Sequence, residues 1–397
     1  MQENGGITRT EFKDRIDRTL SEMVKENIDV IYVYGDGTHP ENLIYLTNYR
    51  LIGTDLPGHT GYNGIFILER DGSSTLIIDR DWYVDWAKEE SWVEPIIADS
   101  QGDTLGLSYE ILKRKKLLKG NIEADTDVMP ASFYKRFKRT FADSRIDEKH
   151  HLVGKLREVK SSKEIELISK GLEILGKAHD AALVMGKEGV RETDISQEIR
   201  RVSLAEGAEY STALFVDAGR RSTIALANPM STEYRLKKGD MVLVSLFCTY
   251  KKYSAGMDRC WVVGEPSNNQ RKLADIEIKT LEKAIGLVKP GVRATEFMDL
   301  VYTRFAEPLL REMGFKEYNT QGYVGHGTGI QVVETPVLWK LDPSILKPGM
   351  VIDIEPGLYS KDPKIGGIRT ADFVQVTEDG CKVLTKYPRR IGTWTQV

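Results

Sequence analysis

Histidine is scarce in this sequence, with six in 397 residues: His39, His59, His150, His151, His179 and His326. That count argues against a site built mainly from imidazoles. Cysteine is scarcer still. Cys248, Cys260 and Cys381 form no CxxC pair and no even framework, which argues against a disulfide scaffold and for a reducing, cytoplasmic setting. Charge of one sign is lacking too. The formal net charge is −3, so nothing calls for a nucleic-acid partner or a membrane surface. No apolar run approaches the roughly 18 residues that a membrane span needs. The opening segment MQENGGITRTEF is polar and lacks the apolar stretch of a secretory signal.

What is present suits a globular protein, with 41% hydrophobic and 29% charged residues. The length exceeds one typical domain and predicts two. Residues 10–27 carry apolar side chains at helical spacing, and IDVIYVYG (28–35) reads as a strand. GIFILERDGSSTLIID (64–79) reads as a hairpin around a polar DGSS turn. A helix over 104–117 and a short strand over 120–125 complete an α/β domain, placed at residues 1–152. Near residue 150 the chain becomes highly charged and then strongly periodic. Ser161 or Ser162, with Glu164, is expected to cap the helix that opens a second domain, residues 153–397.

The second domain echoes itself. GKEGVRETD (186–194) matches VKPGVRATE (288–296), and LKKGDMVLVSL (236–246) matches LKPGMVIDIEP (346–356), in the same order. Two copies of one helix–turn–strand unit predict a pseudo-twofold duplication, with strands 241–247 and 350–355 in one sheet or on one central surface.

Four segments then occur in order: LREVKSSKEIELI, GHGTGIQVVETP, MVIDIEPGLYS and GIRTADFVQVTEDG. Together they resemble the pita-bread family of prolidase, aminopeptidase P, methionine aminopeptidase and creatinase, over roughly residues 151–390. The resemblance implies a C–N bond hydrolase. In its metal-dependent members two ions are held by five side chains. The implied positions here are 245, 256, 326, 355 and 371, which read Ser245, Gly256, His326, Glu355 and Ala371. One imidazole and one carboxylate cannot offset the charge of two divalent ions. The expectation is therefore no metal and no cofactor, with only an adventitious ion on His326 and Glu355 left open.

Creatinase, the metal-free branch, supplies the nearest pattern. By that resemblance Asp258 and Glu355 would clamp a cationic or NH-rich group, with His326 moving the proton. The position of creatinase's general base falls at Asn228, which cannot take a proton near neutral pH. His59 and Arg50, in the polar segment 47–64, are candidates to reach a partner subunit's site. Ser245, Tyr253, Glu334 and Arg369 are further candidate substrate contacts, and Arg259 a structural brace. Ser245 and Cys248 lie three apart on one strand, so they face opposite sides and make no nucleophile pair. The expected function is a metal-independent, creatinase-like hydrolase of a small polar nitrogen compound, working as a homodimer. A lyase on the same residues and an inactive binding protein are the alternatives.

Overall fold

The computed structural model describes residues 6–51, 62–148, 151–224 and 230–389. The chain divides into two compact units, residues 1–157 and 158–397. No helix among the described residues is long and apolar enough to cross a membrane.

In the first unit the strands are β1 (Val30–Asp36), β2 (Asn63–Glu69), β3 (Ser74–Ile78), β4 (Ile96–Ala98), β5 (Asn121–Ala124) and β6 (Arg145–Asp147). They form one mixed sheet in the order β4-β3-β2-β1-β5-β6. The central strand β1 is buried along its whole length, which is why IDVIYVYG is apolar on both faces. The helices of this unit are α1 (Arg9–Lys25), α2 (Glu41–Thr47), α3 (Val84–Glu90), α4 (Thr104–Arg114) and α5 (Ala131–Thr140). Tyr32, Tyr34 and Ile65 of the sheet pack against Leu105 and Ile111 of α4 and Phe137 of α5. The helix α6 (Leu152–Glu158) carries the chain to the division.

The second unit opens on α7 (Ser162–Met185), whose N-cap is Ser161. The Ser161 hydroxyl accepts from the Glu164 backbone, and the Glu164 side chain accepts from the Ser161 backbone. After α8 (Glu192–Ala205) come β7 (Tyr210–Ala218), β8 (Met241–Tyr250) and β9 (Tyr253–Val262), one antiparallel sheet. Then α9 (Asn268–Leu287) and α10 (Glu307–Glu312) precede β10 (Tyr318–Thr320), β11 (Gly325–Gly327) and β12 (Glu334–Val337). The chain closes on β13 (Val351–Ile354), β14 (Gly357–Ser360), β15 (Gly367–Arg369), β16 (Asp372–Val376) and β17 (Cys381–Val383). Two further sheets result, β10-β14-β15 and β12-β11-β13-β16-β17.

The internal echo is repeated hydrogen bond by hydrogen bond. Gly189 N–H donates to Leu236 O and Leu236 N–H to Val190 O, just as Gly291 donates to Leu346 and Leu346 to Val292. Gly239 donates to Val263 O and Gly349 to Val376 O. Gly239 and Gly349 both sit at positive φ, +90° and +87°, which glycine tolerates at a turn feeding a strand. The two copies place β8 and β13 in different sheets. The sheets are joined where the Ala371 N–H donates to Asp258 O.

Candidate functional site

Five strands build the site. His326 stands opposite Asp353 in the antiparallel pair of β11 and β13. Glu355 lies two residues beyond Asp353, so all three side chains share one face. Across from them, Ser245 of β8 pairs with Asp258 of β9. Arg369, at the end of β15, lies between the two groups. All six residues are buried.

The contacts order these groups. His326 Nδ1 lies 2.9 Å from Gly327 O, and Nε2 lies 3.1 Å from Glu355 Oε1. Arg369 Nε stands 2.6 Å from Asp258 Oδ2 and 3.6 Å from Glu355 Oε2. Its terminal nitrogens donate to Ser245 Oγ at 3.1 Å and Gln321 Oε1 at 3.2 Å. Phe215 places its ring against the guanidinium, 5.0 Å away. Tyr323 is half-buried, with its ring 6.0 Å from that of His326.

Burial pulls the His326 imidazole down, but the Glu355 hydrogen bond and charge more than reverse this, and its pKa rises to about 9. Burial pushes Asp258 up, and the Arg369 guanidinium only partly restrains it. Asp353 is raised well above the usual carboxylate range by burial and by the neighbouring Glu355 charge. Glu355 is held low against its burial by Arg369 and His326.

Several expectations are corrected by this geometry. Asp258 and Glu355 do converge on a cation, but that cation is the chain's own Arg369. A buried guanidinium needs carboxylates around it, so the pair is not an open clamp. Asp372 takes Arg259, 2.9 Å away, and Arg389. Arg259 also donates to Ala371 O and Pro388 O, the bracing role expected of it. Tyr253 donates to Glu164 Oε1 at 2.9 Å, tying β9 to the start of α7. Glu334 forms a buried ion pair with Lys160 at 3.1 Å. Cys248 donates to Gly171 O, away from Ser245. Arg50 belongs to the first unit and is half-buried there. Asn228 and His59 lie outside the described residues.

Asp353, Tyr323 and Gln321 were not anticipated. Asp353 had a signal, an acid alternating with Glu355 in an otherwise apolar strand, VIDIEP. Tyr323 and Gln321 come from a segment without any distinguishing pattern.

A buried imidazole paired with a carboxylate, on the sheet of a duplicated α/β unit, is a candidate functional site on a pita-bread fold. Residues 166–378 match Metallopeptidase family M24, and residues 15–159 match the Creatinase/Prolidase N-terminal domain. The chain belongs to family M24. It is 30% identical over 380 residues to the Xaa-Pro dipeptidase of Pyrococcus furiosus, covering 96% of this chain and 99% of that one. Among solved structures it is similar to the prolidase of Pyrococcus horikoshii OT3, with TM-score 0.76 and 27% identity over 96% of this chain and all of that chain. It is also similar to the X-Pro aminopeptidase of Thermotoga maritima, with TM-score 0.80 and 25% identity over 95% and 99% of the two chains. These relatives overturn the expected metal-independent, creatinase-like hydrolase. The family is one of metallopeptidases, and the relative matched at 30% identity is an Xaa-Pro dipeptidase.

The family name implies a metal, and the residues present can be tested for one. Among the described residues His326, Asp353 and Glu355 offer ligand atoms within 4.8 Å of one another, all buried. One imidazole and two carboxylates make a donor set that suits a divalent transition ion.

Proposed function

We propose that this chain is a peptidase that hydrolyses Xaa-Pro dipeptides or similarly small peptides. The observation that carries this reading is the match with an Xaa-Pro dipeptidase over 96% of this chain and 99% of the relative, which spans both units. The buried group around His326 supports it.

An ion held by His326 and Glu355 would polarise the peptide carbonyl when bound. The chain's own residues do the rest. Glu355 orients the His326 ring through Nε2, while Gly327 O fixes Nδ1. With Nδ1 held by Gly327 O and Nε2 on the ligand side, His326 would serve as a ligand rather than as the acid, and the proton that the departing nitrogen needs comes from the attacking water, whose oxygen goes to the carbonyl carbon. Tyr323, half-buried beside that ring, is placed to touch the substrate. Arg369, anchored by Asp258 and Ser245, positions Glu355. Asn228, Arg50 and His59 are kept as substrate-contact proposals. A homodimer in which the partner's N-terminal unit caps the site, and a cytoplasmic location, belong to the same reading.

The test is proline release from Ala-Pro, Met-Pro and Leu-Pro, followed by mass spectrometry with Mn²⁺, Co²⁺ or Zn²⁺ supplied. Release that falls at least 100-fold in His326→Gln supports the proposal. No release with any of the three ions overturns it. Light scattering at micromolar concentration tests the dimer, and a monomer mass would sink the capping arrangement.

A further inference from the structure

The carboxylate of Asp353 has no task in the proton chemistry above. Its side chain is buried, with the residue 1% exposed, and its Oδ1 atom has no hydrogen-bond partner among the described residues. A carboxylate left that way costs folding free energy unless something compensates it. It shares a face with His326 and Glu355, and the three form the single group of potential ion ligands among the described residues.

Two local features turn this group into a prepared site. First, His326 Nδ1 faces Gly327 O at 2.9 Å. A neutral ring that donates there presents the lone pair of Nε2 toward the carboxylates, the usual arrangement of an imidazole ligand whose other nitrogen is held by a backbone carbonyl. Second, residue 256 is glycine. A Cβ at that position would stand 3.3 Å from Asp353 Oδ2 and 2.7 Å from the Phe247 ring. Its absence clears the place in which the Asp353 carboxylate lies. Arg369 adds orientation, since it draws Glu355 Oε2 toward itself and leaves Oε1 on the His326 side.

We propose that Asp353 is a ligand of a divalent transition-metal ion held jointly with His326 and Glu355, a carboxylate supplied by β13 where Gly256 of β9 offers none. The inference rests on the same site as the proposed peptidase activity, but it concerns binding and is read without turnover.

The experiment uses the full chain, stripped with a chelator and dialysed, then titrated with Co²⁺ and Zn²⁺ by calorimetry and visible absorption. The unaltered protein is expected to bind at least one equivalent and to develop a cobalt d–d spectrum. Asp353→Asn should weaken binding at least 10-fold and change that spectrum, while circular dichroism confirms the fold. If the Asn variant does not fold, Asp353→Ser is measured in its place. An unaltered protein that binds no ion at millimolar concentration, or a variant that binds as tightly as the original with the same spectrum, overturns the proposal. Peptidase failure is separable from this result: proline release can be absent while the binding difference between the two proteins is intact, and the reverse.

Discussion

Arg369 is the residue on which the site turns. Its guanidinium is buried, with Asp258, Glu355, Ser245 and Gln321 around it. Burying such a pair brings little net stability, but removing one partner leaves an uncompensated charge. Asp258→Ala should therefore cost roughly 3–5 kcal/mol. Asp258→Ala combined with Arg369→Met removes both charges and should cost less than the two single changes added together, because the residues are in contact. Urea unfolding of the four proteins measures this, and strict additivity would show that the pair is not coupled. The same residue shows a limit of reading from sequence. Asp258 and Glu355 were legible as an acidic pair, and their convergence is real. That their cation comes from the chain itself was not legible, because residues 258, 355 and 369 meet only through folding of three separate sheets.

At the scale of elements, glycines separate propensity from packing. Gly171 lies within α7, where a Cβ would come 2.7 Å from Ala255 Cβ on β9. Gly286 lies near the end of α9 with nothing within 4 Å of that position. Helix propensity alone favours alanine over glycine by about 1 kcal/mol at both. The close approach of α7 to β9 should reverse the sign at the first. Gly286→Ala is expected to raise the melting temperature and Gly171→Ala to lower it, and equal shifts would refute the packing argument. The elements themselves were largely readable. The hairpin at 64–79, the Ser161–Glu164 cap and the paired GVR and LK(K/P)G turns depend on local chemistry, and local chemistry is written in consecutive residues. Asp353 was missed for a related reason: a single acid in VIDIEP reads as a strand residue until its partner strand supplies His326.

For the molecule as a whole, buried acids set how stability responds to pH. Glu277 of α9 is fully buried, and its Oε1 accepts from the Thr370 backbone at 2.9 Å, beside Ala371. Burial raises its pKa from 4.5 to about 8, against the restraint of the Thr370 hydrogen bonds. The folded state thus holds a proton that the unfolded chain gives up near its ordinary pKa. Stability from this group is complete below about pH 4.5, declines as pH rises, and is lost once pH passes about 8. The full decline amounts to a few kcal/mol by order of magnitude. Asp217, which burial raises to about 7, adds a slope of the same sign at lower pH, so the wild-type profile alone cannot assign the effect. Glu277→Gln keeps an acceptor for Thr370 and removes the titration, leaving the Asp217 slope common to both proteins. The stability difference between variant and wild type should therefore move in the variant's favour from pH 5 to pH 8.5 and level off above that. Urea unfolding at half-unit pH steps measures the difference, and a constant offset across the range would mean that Glu277 is ionised in the folded protein throughout.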